Sequence, residues 1–262
     1  MVDLHTHILP GFDDGVEDED ESVAFAKMAH ADGVRTIVAT PHCKEGFFFN
    51  DRATVLAGVE RLRARLAKDS VEIELVAGAE VHICPNLVER IRDGRAPTLA
   101  DNGKTLLLEL SLTQYPVELE NLVFQLKLAG ILPIFAHPER IRYFQDDVKR
   151  YESVIRLGAY GQITTGSLLG MFGNDAKRFS EELVRKKLIH VLASDSHNVR
   201  GRPPVLTGAR EALASMVGED LAGRMASEIP QALLRGEEVE FPEGADEPVR
   251  RRSMFSRWFS SR

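Results

Sequence analysis

Cysteine is scarce: Cys43 and Cys84 are the only two in 262 residues. They form no CxxC and no ladder of bridges. That excludes a disulfide-stapled fold and fits a reducing cytoplasm. Basic residues are outnumbered, 33 Lys and Arg against 40 Asp and Glu, for a net charge of −7. No nucleic-acid partner is expected from that balance. No apolar run approaches the roughly 20 residues of a membrane span. A charged n-region followed by an apolar h-region is also missing, so no secretory signal is expected. Tryptophan occurs once, at Trp258, in a C-terminal stretch unlike the rest of the chain.

What is present suffices for one large core. Hydrophobic residues make up 44% of the chain, and α/β barrels commonly reach this length without dividing. Strand-like and helix-like segments alternate. Strands are expected over 2–5, 35–40, 73–77, 105–110, 132–136, 160–164 and 189–193. Helices are expected over 17–31, 51–68, 85–92, 117–129, 148–157, 175–187, 206–217 and 221–227, with the remainder a tail. Such alternation argues for parallel strands with right-handed crossovers, in an open sheet or a closed barrel.

The polar residues decide between these. His5, His7, His42, Glu80, Glu109, His137, Asp195 and His197 all fall at or just past the C-terminal end of a strand. Only the sixth strand offers no obvious ligand. A barrel brings all those ends to one mouth, whereas an open sheet spreads them along an edge. The expected fold is therefore α/β, a distorted (β/α)7 TIM-like barrel.

His5 and His7 alternate with Thr6, so an extended strand points both imidazoles the same way. The acidic turn Asp13-Asp14-Gly15 follows and adds Asp14 to the set. Taken singly, each residue has an ordinary explanation: a hydrogen-bonded buried histidine, or a glutamate paired with arginine. Taken together, four carboxylates in one mouth repel and titrate upward unless cations compensate them. Mixed His/Asp/Glu ligation suits Mn, Fe, Co or Zn and does not suit Ca. Nine such groups are too many for one ion and adequate for two or three. His30, His82 and His190 stay outside the set, with His190 expected in the core.

Several motifs then carry a resemblance. His5-Thr6-His7, Thr40-Pro41-His42, Gly78-Ala79-Glu80, Glu109, Ala136-His137-Pro138-Glu139-Arg140 and Ser194-Asp195-Ser196-His197-Asn198 resemble the PHP (polymerase and histidinol phosphatase) superfamily. More narrowly, His-Thr-His-Ile-Leu-Pro-Gly-Phe-Asp-Asp-Gly, His-Pro-Glu-Arg and Arg202-Pro203-Pro204 resemble the bacterial manganese-dependent tyrosine phosphatases of capsular and exopolysaccharide assembly. That resemblance implies a PHP barrel over about 1–236 and three metal ions. His5, His7, Glu80 and Asp195 would hold the first ion. Glu80, Glu109 and His137 would hold the second, with Glu80 bridging. Asp14, His42 and His197 would hold the third, and Arg140 and Arg202 would grip phosphate.

The implied reaction is hydrolysis of phosphotyrosine. In it a hydroxide held by two ions would attack phosphorus in line, and the arginines would neutralise the equatorial oxygens. His42 or His197 could serve as acid for the phenolate. The implied substrate is the phosphorylated C-terminal tail of a membrane-bound bacterial tyrosine kinase. The ordinary alternative for Arg140 is a salt bridge with Glu139 or Glu109, and for Arg202 an exposed loop position. Other readings of the whole are another phosphoesterase, such as one for histidinol phosphate, or a non-catalytic metal-binding regulator.

Cys84-Pro85-Asn86-Leu87-Val88-Glu89-Arg90 formally satisfies the C-x5-R of thiol-based phosphatases. It has no glycine, bulky apolar residues and an acidic Glu89. It therefore reads as a helix start rather than a phosphate-cradling loop. Phe47-Phe48-Phe49 reads first as core packing and second as a rim that stacks on a phosphotyrosine ring. Residues 237–262 read as an acidic linker and a basic-aromatic tail, Arg250 to Arg262. That tail could end in disorder, or rest weakly on anionic lipid.

Overall fold

The computed structural model describes residues 1–240. The basic-aromatic tail and most of the linker lie outside the described residues. The strands are β1 (Val2–Thr6), β2 (Thr36–Ala39), β3 (His42–Cys43), β4 (Glu74–Ala77), β5 (Glu80–His82), β6 (Thr105–Glu109), β7 (Leu132–Ala136), β8 (Tyr160–Thr164) and β9 (Val191–Ala193). Their ladders are parallel, in one sheet ordered β1-β2-β4 and another ordered β3-β5-β6-β7-β8-β9. Helices cover the outside, so β1, β7 and β8 are buried at every residue.

The two sheets are one barrel with two interrupted strands. The strand expected over 35–40 is β2, and past Thr40-Pro41 the chain adds β3, a short strand outside the expected one. Proline cannot donate to a ladder. The strand expected over 73–77 is β4, and past Gly78-Ala79 the chain adds β5, again outside the expected one. A Cβ on Gly78 would fall 2.8 Å from Leu99 and 2.9 Å from Val38, so only glycine lets the chain pass there. Closure comes from backbone bonds between the last strand's end and the first. Asp195 N–H donates to the His5 carbonyl at 2.9 Å, and His7 N–H to the Ser196 carbonyl at 2.9 Å. The expected distorted barrel is thus the observed fold.

Side chains cap the first two helices of the chain. Asp18 accepts from the Glu21 N–H at 2.8 Å, so the first helix runs Glu19–Ala31. Asp51 caps Arg52–Lys68, which buries Val55, Val59, Leu62 and Leu66. One expectation fails after residue 227. The chain there is no tail but a helix, Glu228–Leu234. Pro230 sits in its first turn, where a missing N–H costs nothing. Ile229 and Leu233 are buried, and the Leu233 carbonyl accepts from Thr105 Oγ1 at 2.6 Å. Order extends past 237: Lys127 Nζ meets Glu238 at 2.6 Å, and Val239 N–H donates to the Tyr160 hydroxyl at 3.0 Å. No helix among the described residues is long and apolar enough to cross a membrane.

His190 is a core histidine, as expected. It is buried, its Nδ1 accepts from Gly161 N–H at 3.0 Å, and burial pulls its pKa down to about 4. An unfolded chain protonates it near 6.5, so between about pH 6.5 and 4 the unfolded state binds more protons. Stability is therefore full above that window and falls as pH drops through it, by at most roughly 3 kcal/mol. Urea unfolding at pH 7, 5.5 and 4.5 should show this slope, and His190→Gln should flatten it.

Candidate metal centre

Strand alternation sets the first pair. Thr6 turns outward and its hydroxyl donates to the Val38 carbonyl at 2.8 Å. His5 and His7 therefore turn inward, with their Nε2 atoms 3.3 Å apart. The β3–β5 register places His42 beside Glu80, and β7 ends at His137. The turn after β9 supplies Asp195 and His197.

Glu80 is the hub. Its Oε2 lies 3.2 Å from His5 Nε2, 3.5 Å from His7 Nε2 and 3.0 Å from His42 Nδ1, while Oε1 lies 2.8 Å from His137 Nε2. Asp195 Oδ1 is 3.4 Å from His5 and 3.5 Å from His7. Glu109 Oε2 is 3.5 Å from His42 Nδ1. Asp14, an exposed rim residue, stands 3.5 Å from both His42 Nε2 and His197 Nε2. All nine residues singled out in the sequence thus meet in one mouth.

Among the described residues, three groupings have ligand atoms close enough to share an ion: His7, Asp14, His42 and His197; His5, His7 and Glu80; His42, Glu80 and Glu109. They divide somewhat differently from the sets the resemblance implies. His42 faces two groups through its two nitrogens, and His7 also belongs to two. His137 and Asp195 enter none of the three, although both touch Glu80's partners or Glu80 itself.

The donor set fits divalent cations. Glu80 Oε2, Glu109 Oε2, His42 Nδ1 and His137 Nδ1 are buried with no hydrogen-bond partner among the described residues. Such groups are costly unless something else occupies their lone pairs. Burial pushes the Glu80 carboxyl up, but the surrounding His5, His137 and His42 hold it well below the usual carboxylate range. Asp195 is likewise held low by His5, His7 and Arg202 against its burial. Burial pulls His7 down, yet Asp13 raises it to about 9. Against the same pull, Glu109 and Glu80 raise His42 to about 11. Without a cation, protons on imidazole balance the carboxylates, and an arriving ion would displace them.

Two orienting residues escaped the sequence reading. Asp13 Oδ2 lies 2.7 Å from His7 Nδ1 and accepts from the His42 N–H at 2.8 Å. It belongs to the acidic turn from which Asp14 alone was chosen. Gln162 Oε1 lies 2.9 Å from His5 Nδ1, so the sixth strand gives no ligand but fixes one. Gly15 is required in this turn, since a Cβ there would fall 2.2 Å from the His7 carbonyl oxygen.

Arg140 and Arg202 converge on Asp195 Oδ2, at 2.9 and 2.5 Å. Arg140 therefore pairs with neither Glu139 nor Glu109. Glu139 is buried elsewhere and accepts from the Thr164 hydroxyl at 2.5 Å. Arg202 is no exposed loop residue, and its buried Nε has no partner among the described residues. The C-x5-R stretch makes no phosphate loop. It runs into the helix Leu87–Arg92, and burial pushes the Cys84 thiol up. Phe47 and Phe49 are 73% and 79% exposed, which overturns core packing for them. Phe48 stacks on His42 with centroids 5.6 Å apart and planes at 15°.

A parallel α/β barrel with a mixed imidazole–carboxylate cluster in its C-terminal mouth defines a barrel protein with groups able to hold metal ions. The family described as capsular polysaccharide synthesis, CpsB/CapC, matches residues 1–235, and the chain belongs to that family. It is 36% identical over 255 residues to the tyrosine-protein phosphatase YwqE of Bacillus subtilis, spanning 97% of this chain and 99% of that one. It is 28% identical to the tyrosine-protein phosphatase CpsB of Streptococcus agalactiae, over 90% of this chain and 98% of that one. Crystal structures of YwqE and of Streptococcus pneumoniae CpsB, described as metal-dependent tyrosine phosphatases, include a chain superposing with a TM-score of 0.88 at 35% identity. That match covers 93% of this chain and 99% of the other. A β-aspartyl dipeptidase of Fervidobacterium islandicum, at 13% identity and a TM-score of 0.54, shares the fold.

Proposed function

We propose that this protein is a metal-dependent protein-tyrosine phosphatase whose substrate is the phosphorylated tail of a membrane-bound bacterial tyrosine kinase in capsular or exopolysaccharide synthesis. The carrying observation is convergence: a buried cluster of histidines and carboxylates and two arginines share Asp195 at one mouth. The ligands are His5, His7, Asp14, His42, Glu80, Glu109, His137, Asp195 and His197, for two or three ions, manganese first among Mn, Fe, Co and Zn. Bound there, such ions supply Lewis acidity and lower the pKa of coordinated water toward neutrality.

The protein's own groups do the rest. Arg140 and Arg202 present guanidinium edges to phosphate oxygens, a geometry that forks match well. Asp195 aligns both. Asp13 and Gln162 fix the His7 and His42 side and the His5 ring. His42 or His197, both beside Asp14, would assist the departing phenolate through a ring nitrogen that the ions leave free. The packed barrel over 1–236 would constitute the catalytic unit, and the basic-aromatic tail would rest at most weakly on anionic lipid.

Three tests bear on this. Chelated protein should lose phosphotyrosine hydrolysis and regain it with Mn, Co, Zn or Fe added singly. Phosphoserine and histidinol phosphate should be poorer substrates, and a preference for histidinol phosphate would establish the small-molecule alternative. Cys84→Ser should keep the full rate; loss of activity in that variant, with activity surviving chelation, would overturn the scheme. At the rim, Phe47→Ala, Phe48→Ala or Phe49→Ala should raise KM for a phosphotyrosine peptide by roughly fivefold, and for a small aryl phosphate by less. Equal effects would remove the rim's role. Liposome flotation with and without residues 249–262 tests the tail, and no difference would refute membrane contact.

A further inference from the structure

We propose that Phe172 is a positioning residue that holds Arg140 and Arg202 side by side for phosphate. The inference rests on the reading that these arginines grip phosphate. The Arg140 guanidinium carbon lies 4.4 Å from the Phe172 ring centroid, and that of Arg202 lies 5.4 Å away. One ring thus serves two cations that arrive from different strands. Arg140 follows β7, Arg202 follows β9, and Phe172 follows β8, the strand between them.

The physical need is plain. Two guanidinium groups meeting on a single carboxylate oxygen repel each other, and each is a long side chain with rotamer freedom to lose. The negative face of an aromatic ring attracts both. It does so without using their N–H groups as a hydrogen-bond acceptor would, so these stay available to Asp195 and to an incoming phosphate.

The ring itself is fixed from behind. A Cβ on Gly166 would fall 2.7 Å from Phe172 Cε2, so the glycine lets the ring seat against the helix Thr165–Leu168. The turn is pinned by Met171 N–H donating to the Gly166 carbonyl at 2.8 Å. Gly170 and Gly173, at φ of +86° and +92°, take the left-handed conformations that bring Phe172 inward.

The test uses full-length, manganese-loaded protein, with inorganic phosphate and a small aryl phosphate as probes. Phe172→Leu should weaken phosphate binding, read by calorimetry and by competitive inhibition, by about five- to tenfold. Phe172→Tyr should restore it to within about twofold, and Gly166→Ala, which displaces the ring, should weaken it in the same direction. In an Arg140→Ala/Arg202→Ala background, Phe172→Leu should add less than about twofold. Unchanged phosphate affinity in Phe172→Leu would overturn the proposal, as would an undiminished effect in the double-arginine background. A higher KM for aryl phosphate with phosphate binding intact would also overturn it, making Phe172 a wall for the substrate ring. If Phe172→Leu does not fold, Gly166→Ala and Phe172→Tyr decide by the same readout. Wild-type protein that binds phosphate through Phe172 but hydrolyses no phosphotyrosine would defeat the proposed function and leave this inference standing.

Discussion

Glu80→Gln should lower kcat on phosphotyrosine by about a thousandfold or more and empty the mouth of metal. Glu80 meets His5, His7 and His42 through one oxygen and His137 through the other. An amide of the same shape carries no charge and turns an NH2 toward imidazoles already crowded together. Metal content per chain, measured alongside rate, checks this. Full metal content with near-normal turnover would remove Glu80 as the hub. Glu139→Gln is the contrast. That carboxylate is equally buried but serves Thr164, so its loss should cost stability and leave metal content unchanged.

Arg202→Ala should lower kcat/KM by about 10²- to 10³-fold while the protein keeps its metal. The guanidinium touches the cluster only through Asp195 Oδ2, which Arg140 also holds. Its absence therefore spares the ligands and removes donors aimed at charge that develops on the phosphoryl group. Arg202→Lys should recover only part of the loss, because an ammonium lacks the planar fork. A drop in metal content equal to the drop in rate would mean that Arg202 acts by supporting Asp195, with no role at phosphate.

The barrel was legible in the sequence because buried parallel strands read as short apolar runs. The segments 132–136 and 160–164 coincide with β7 and β8 to the residue. The site was legible because its ligands recur where such runs end, so topology alone collects them. The short strands β3 and β5 were hidden, since Pro41 and Gly78 read locally as strand ends and only the parallel pairing of the folded chain shows the strands resuming beyond them. Glu228–Leu234 was hidden too. It is a seven-residue helix with a proline inside, stabilised by what it covers. Asp13, Gln162 and Phe172 act through other side chains. Asp13 and Gln162 are polar residues of ordinary type, Phe172 is one of 13 phenylalanines, and only the folded arrangement shows whom they touch. Phe47 and Phe49 were misread in favour of the core because their sequence is apolar, whereas both are exposed beside the turn at Gly46 and only Phe48 packs inward on His42.

The join between the first and last strands runs through His5, His7 and Asp195. An ion held by those three residues would act as a clasp on the barrel, fastening chain segments about 190 residues apart. Loading and folding then become one equilibrium. The metal supply of the cell would set how long the protein survives as well as how fast it works, and a starved molecule would open first along the line where its catalyst belongs.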